Sequence, residues 1–338
     1  MADDTVHAET VHDDTVREDT VRDAAAHVET VQWISDRAHP LAVLDPETPY
    51  GDLLPLADLV GDARIVALGA SSRQAHELAT AASGVIRQLV EELGFRSVVL
   101  EAADTSGLGL DEYLRTGAGD PRALLSKARP FLRTEEILDT VRWMREFNRS
   151  HPDDQVRFAG TAPRPLRKPS GLDALAGIEL SMAEDLIEWH ERTGDKIVYW
   201  GGMVHTAKGD PRTISPSATP TAHRNAGGHL RERFGAGFVS IGLMFQYGRV
   251  PYPVPAPPPE FAETVLGDVG LPAYLLDLRG DAPEGVRNWL GAPARTRLIG
   301  PHFHAETSAD NFMAGGSLGE WFDAILHVRE VTSARFLP

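Results

Sequence analysis

Three residues in this sequence combine a chemistry-bearing side chain with a place beyond the end of a β-rich run. Arg73 follows Arg64–Leu68, Glu101 directly follows Ser97–Leu100, and His205 follows Lys196–Trp200. A carboxylate and an imidazole brought together serve as a general acid/base pair when their surroundings tune them toward neutral pH. Arg73 cannot act as a base, because a guanidinium has a pKa above ~12 and no acceptor lone pair. At a strand end it would bind a carboxylate or stabilise a developing oxyanion or enolate. An ordinary ion pair with Glu101 or Glu77 is the alternative. Glu101 could equally be a buried salt-bridge partner, and His205 a hydrogen-bonded residue at a helix start. Ser71, Ser72, His76, Arg133, Trp200 and Met203 are the accompanying candidates for contact with a substrate.

Positioning these residues takes alternating strands and helices. From Asp62 onward the two patterns alternate, which predicts an α/β fold with a largely parallel central sheet flanked by helices. Helical spacing is expected over Glu77–Leu93 with Gly94 as the stop, over Asp111–Leu114, Glu135–Phe147 and Met182–Arg192, and around His229–Phe234. Val156–Ala159, Phe238–Phe245 and Ala324–Val328 read as further strands, the last after a short helix or turn around Leu318–Trp321. Val250–Pro259 reads as an extended surface connection. In open sheets of this kind ligands bind outside the carboxyl ends of the strands. That rule selects Gly69–His76, Glu101–Ser106, Gly160–Pro163 and Gly201–Lys208.

The remaining composition excludes more than it specifies. The 338 residues, 42% hydrophobic, suffice for a large core. Residues 31–338 are read as one α/β domain. The first thirty residues repeat an acid-Thr-Val unit at a spacing of five, for example Asp4-Thr5-Val6 and Glu9-Thr10-Val11. A period of five gathers no face in a helix or a strand, so residues 1–30 are expected to be a disordered acidic tail, with helix beginning near Ala24. A net charge of −16 argues against nucleic acid, whose affinity comes from Lys and Arg. The chain has no cysteine, which excludes disulfides, thiolate metal sites and a cysteine nucleophile. With no apolar run of ~18 residues and no signal-peptide order at the N-terminus, a cytoplasmic location without membrane contact is expected. No metal is expected: His76-Glu77 has no second histidine four residues on, and His302 and His304 fit a solvent-facing loop. Ser71 and Ser72 do not sit in a Gly-x-Ser-x-Gly elbow, and no glycine run forms a phosphate cradle. No cofactor is expected, and nothing specifies an oligomeric state.

A set of ordered segments carries a family likeness. Leu89-Val90-Glu91-Glu92-Leu93-Gly94-Phe95, Leu100-Glu101-Ala102, Tyr113-Leu114-Arg115-Thr116-Gly117, Trp143-Met144-Arg145 and Val156-Arg157-Phe158 follow one another at characteristic spacing. Tyr199-Trp200 with His205, Gly228-His229-Leu230-Arg231-Glu232-Arg233-Phe234-Gly235 and Phe322-Asp323-Ala324-Ile325 complete the series. In this order the segments resemble the erythromycin esterase family, from about residue 40 onward. The resemblance implies metal-independent hydrolysis of a macrolide ester by a histidine that activates water. It also implies departures: Ala70 stands where the family has Glu, Arg73 where it has the water-activating His, Ala82 where it has Arg, and Gly202 where it has the first of two histidines. Glu101 and His205 are the acid/base residues that remain. The short connection between Thr161 and Ser181 implies a reduced helical lid.

These departures change the expected reaction. A kept scaffold with a replaced water-activating centre points to an enzyme that tailors a hydrophobic, polyketide-like natural product by cyclisation, isomerisation or elimination. Two alternatives stand beside it: an ester or lactone hydrolase with a reassigned base, and a non-catalytic binding or resistance protein.

Overall fold

The computed structural model describes residues 24–41, 55–101, 105–159, 172–209, 213–215, 223–300 and 303–338. Among these described residues twelve strands run in chain order: β1 His39–Pro40, β2 Ile65–Ala70, β3 Phe95–Leu100, β4 Arg157–Phe158, β5 Lys196–Gly202, β6 Thr213–Ile214, β7 Phe238–Arg249, β8 Pro253–Val254, β9 Ala273–Asp277, β10 Thr296–Arg297, β11 Phe312–Ala314 and β12 Ala324–Val331. The main sheet has the order β1-β9-β12-β7-β2-β5-β3-β4, with β8 on β7; β6, β10 and β11 form a separate three-stranded sheet. Pairing is parallel from β12 through β7, β2, β5 and β3 to β4, and antiparallel at the β9 and β1 edge. The expected α/β class, with its largely parallel sheet, is what the chain forms.

Thirteen helices among the described residues flank the sheets: α1 at 24–37, α2 Pro55–Val60, α3 His76–Glu91, α4 Thr105–Leu108, α5 Leu110–Thr116, α6 Pro121–Leu125, α7 Glu135–Ser150, α8 Leu172–Thr193, α9 Met203–Thr206, α10 Ala226–Phe234, α11 Ala262–Gly267, α12 Glu284–Gly291 and α13 Leu318–Trp321. The period-2 alternation of the central strands sorts their side chains between two cores. Val66, Leu68, Val98, Leu100, Val198 and Trp200 face α3 and α7, packing with Leu78, Val85, Ile137 and Val141. Ile65, Ala67, Val99, Ile197 and Tyr199 face α8 and α10, packing with Ala183, Leu186, Leu230 and Phe234. Strand β2 is buried along its whole length, which its unbroken apolar run requires at the centre of a parallel sheet.

Helix α1 begins at residue 24, where helix is expected near Ala24. Residues 24–30 are helical, and Trp33 and Ile34 on the same helix pack in a third core with Val286, Leu290 and Trp321. Two apolar residues within one turn thus anchor a helix whose earlier turns are largely exposed. The five-residue repeat up to residue 23 lies outside the described residues. So do 160–163 and 102–104 of the expected crevice loops, and the 160–171 connection that bears on the lid.

Adjacent strands β2 and β5 send the chain to opposite faces. After β2 it enters α3 on one face, and after β5 it passes through α9 and α10 on the other. Such a divergence opens a crevice at the carboxyl ends of the two strands. Across this end, Gly242 of β7, Gly69 of β2 and Gly201 of β5 stand in register. The row of missing side chains lets other groups lie directly on the sheet. A Cβ on Gly69 would overlap Thr206 Oγ1 and lie 2.8 Å from Met203 Cα, so α9 rests on bare β2 backbone.

Candidate active site

The crevice brings Arg73, Glu101 and His205 together. Arg73 Nη2 donates to the Glu101 carboxylate, the Gly202 backbone N–H donates to Glu101 Oε2 at 2.7 Å, and His205 Nε2 lies 3.3 Å from Glu101 Oε1. The backbone of β5 makes this convergence possible. A Cβ on Gly201 would lie 2.8 Å from Glu101 Oε2, and one on Gly202 would lie 2.6 Å from Arg73 Nη2. Arg73 therefore occupies the space that a side chain at 202 would take, so the residues found at 73 and 202 are sterically coupled.

One further residue completes the site. Glu179, on the buried face of α8, accepts from His205 Nδ1 at 2.6 Å through Oε1 and from the Ala226 N–H at 2.8 Å through Oε2. The sequence carries a faint signal for it: an acid on the apolar stripe that continues through Ala183 and Leu186. The helical spacing recognised from Met182 onward starts one turn too late to include it.

Electrostatics follow from this chain of alternating charges. Burial acts to raise the Glu101 carboxyl, but His205, Arg73 and the Gly202 N–H outweigh it and hold the pKa below the ordinary range. Burial acts to lower His205, yet Glu101 and Glu179 more than offset it, with Arg73 opposing, and its pKa is raised. Beneath them Tyr199 is fully buried, and burial with two nearby carboxylates pushes its phenol well up, so it stays protonated.

Beside Arg73 lies a cavity of about 30 Å3 walled by Ala70, Ser72, Leu100, Phe131, Leu132 and Trp200. It is room for roughly two waters. The Arg73 guanidinium lies over the Phe131 ring at 4.8 Å, and its buried Nε has no hydrogen-bond partner among the described residues. Residues Thr332–Leu337 tie the walls together: Thr332 and Ala334 pair with the backbone of His76 and Gln74, Arg335 and Leu337 with that of Glu135 and Arg133.

The other sequence candidates fall in different places. Ser72 and Trp200 line the cavity. Ser71 extends the sheet, donating its N–H to Leu243 and accepting from Ile299, and its buried Oγ has no partner among the described residues. Met203 does not face the crevice; it is fully buried in the core with Met244, Leu318 and Trp321, since α9 turns it down as it turns His205 out. The Arg133 guanidinium turns back to the Ala128 carbonyl at 2.6 Å. His76 forms a separate pair, its Nδ1 2.6 Å from Glu136 Oε1, and this partner raises its pKa despite partial burial. Among the described residues no group of three or more His, Asp or Glu side chains is placed to hold a metal ion. No helix among them is long and apolar enough to cross a membrane.

Gly202→Ala tests the coupling. Gly202 has φ −83° and ψ 148°, which any residue adopts. The flexible end of Arg73 must yield, and because that leaves the buried Glu101 carboxylate with one partner fewer, stability should fall by about 1–2 kcal/mol. Arg73 should be displaced from Glu101 in a crystal structure of the variant; an unmoved Arg73 would refute the coupling.

The fold and site define an α/β protein with a cluster of Arg73, Glu101, His205 and Glu179 at the carboxyl ends of its central strands. The profile of the erythromycin esterase family matches residues 90–177 and 166–331, and the chain belongs to that family. Erythromycin esterase type II from Escherichia coli is 28% identical over 129 residues, which make up 38% of this chain and 30% of that relative. The chain therefore aligns with less than a third of that relative's length. Among solved structures, a protein from Bacillus cereus superposes with TM-score 0.78 at 22% identity, over 92% of this chain and 99% of its own. A succinoglycan biosynthesis protein superposes with TM-score 0.75 at 21% identity, over 90% and 97%. A mutant of the erythromycin esterase EreC, in its open conformation, does so with TM-score 0.63 at 14% identity, over 89% and 99%. These likenesses establish a shared fold.

Proposed function

We propose that this chain is a small-molecule enzyme that rearranges a carbonyl-bearing, polyketide-like substrate by proton transfer without consuming water, with cyclisation favoured over isomerisation or elimination. The observation that carries this reading is that both ring nitrogens of His205 face carboxylates, at 2.6 and 3.3 Å. A ring so placed is an imidazolium, a proton donor with no lone pair for water. Arg73 polarises the substrate oxygen and His205 protonates it as a nucleophile within the substrate attacks the carbonyl carbon. Glu101 takes the proton from that nucleophile and passes it to His205 across their 3.3 Å contact, so acid and base are both restored. A reaction neutral in protons suits a pair that can reset internally.

Hydrolysis is the second reading, favoured by the family and by His76, whose Nδ1 bond to Glu136 would leave Nε2 as the acceptor when neutral. The test is incubation with macrolide and hydroxy-ketone polyketide substrates in 18O-labelled water, read by mass spectrometry. Isomeric product without 18O, lost by about 100-fold or more in His205→Ala, is expected. Acid product carrying 18O would establish hydrolysis instead, and binding without any product would establish a binding protein.

A further inference from the structure

We propose that Glu179 is the positioning residue of this crevice, holding His205 as an imidazolium whose Nε2 is turned toward Glu101 and Arg73. The inference deepens the proton-donor reading above, and it rests on how the ring is held. Glu179 is 2% exposed and spends one oxygen on His205 Nδ1 and the other on the first amide of α10, so it has no freedom to swing away. Asn225, which caps α10, also donates to the Val204 carbonyl at 2.6 Å and pins the backbone beside His205. With Nδ1 fixed on one side, the ring geometry directs Nε2 to the opposite side, where Glu101 lies. A neutral imidazole would bring a bare nitrogen lone pair against one of the two carboxylates. The protonated ring satisfies both.

Charged and titratable groups approach the ring from several of the described elements packed around it, with Glu101, Glu179 and Arg73 setting its balance. Glu101 comes from the end of β3, Arg73 from the loop after β2, Glu179 from α8, and the protonated Tyr199 phenol from β5. Helix α10 presents the Ala226 amide and, a turn further on, His229, whose pKa is lowered by burial and by Arg224. Arg73 opposes protonation of His205 and two carboxylates favour it, so removing one carboxylate should tip the ring toward neutrality.

The experiment is a long-range 1H–15N correlation spectrum of the 15N-histidine-labelled protein, without substrate, as a function of pH. His205 is assigned by its absence in His205→Ala. In the wild-type protein both His205 nitrogens should show imidazolium shifts at pH 7. In Glu179→Gln the protonation constant should fall by at least about tenfold and a neutral tautomer should appear at pH 7, with the His76 titration unmoved. Glu179→Asp should restore part of the loss. A neutral His205 in the wild-type spectrum overturns the proposal without any variant, and so does a folded Glu179→Gln protein whose His205 titrates as in the wild type. Because no turnover is read, this outcome is independent of the product analysis that tests the reaction.

Discussion

Glu101→Gln should cost the folded protein roughly 2 kcal/mol and lower turnover by about 100-fold or more, the largest functional effect of any single isosteric change in the crevice. Its carboxylate receives Arg73, the Gly202 N–H and His205 together, and a neutral amide cannot serve all three. The cost should depend on pH in a way that identifies the network. The folded pKa of Glu101 lies below its ordinary 4.5, so its contribution is present above that value and is lost as pH falls through the lowered folded pKa. The folded pKa of His205 lies above its ordinary 6.5, so its contribution is complete below 6.5 and is lost as pH rises through the raised folded pKa. The difference in thermal midpoint between wild type and Glu101→Gln should therefore be widest between about pH 4.5 and 6.5 and should narrow on both sides. A difference that is flat from pH 4 to 8 would mean that the carboxylate is not coupled to His205.

Gly69→Ala should be the most damaging substitution for the fold of the crevice, destabilising the protein by about 1–3 kcal/mol or more. The added methyl would meet the backbone of Met203 as well as the Thr206 hydroxyl, and backbone cannot rotate out of the way. Helix α9 would have to lift from β2, carrying His205 away from Glu101. Activity should fall further than the loss of folded fraction explains, and chemical denaturation beside kinetics on the remaining folded protein separates the two. Undiminished activity per folded molecule would show that α9 tolerates the shift. The contrast with Gly202→Ala is informative, because there the methyl meets only the mobile end of Arg73.

Much of the architecture is legible in the sequence because it rests on periodicity. The runs at Arg64–Leu68, Ser97–Leu100 and Lys196–Trp200 form β2, β3 and β5, each within two residues at either end. Gly94 ends the α3 region at φ +71° as its place predicts. Strand β9 and helices α11 and α12 leave little local signal, because Ala273–Asp277 is a five-residue run between glycine- and proline-rich turns and the two helices are only two turns long. The first turns of helix α8 have little apolar periodicity, so the pattern emerges only at Met182 and Glu179 escapes it.

For the site, the division lies elsewhere. The sequence by itself determined which groups can give or accept a proton and that Arg73 cannot be a base, since those are properties of functional groups and survive any fold. It also placed Arg73, Glu101 and His205 near strand ends, because strand ends are set by local pattern. Only the tertiary structure decided that Gly202 makes room for Arg73, that Met203 points into the core, and that Glu179 reaches His205. Each of these depends on contacts between residues of different elements, and a separation of 26 residues between Glu179 and His205, or 28 between Arg73 and Glu101, leaves no periodic trace in the chain.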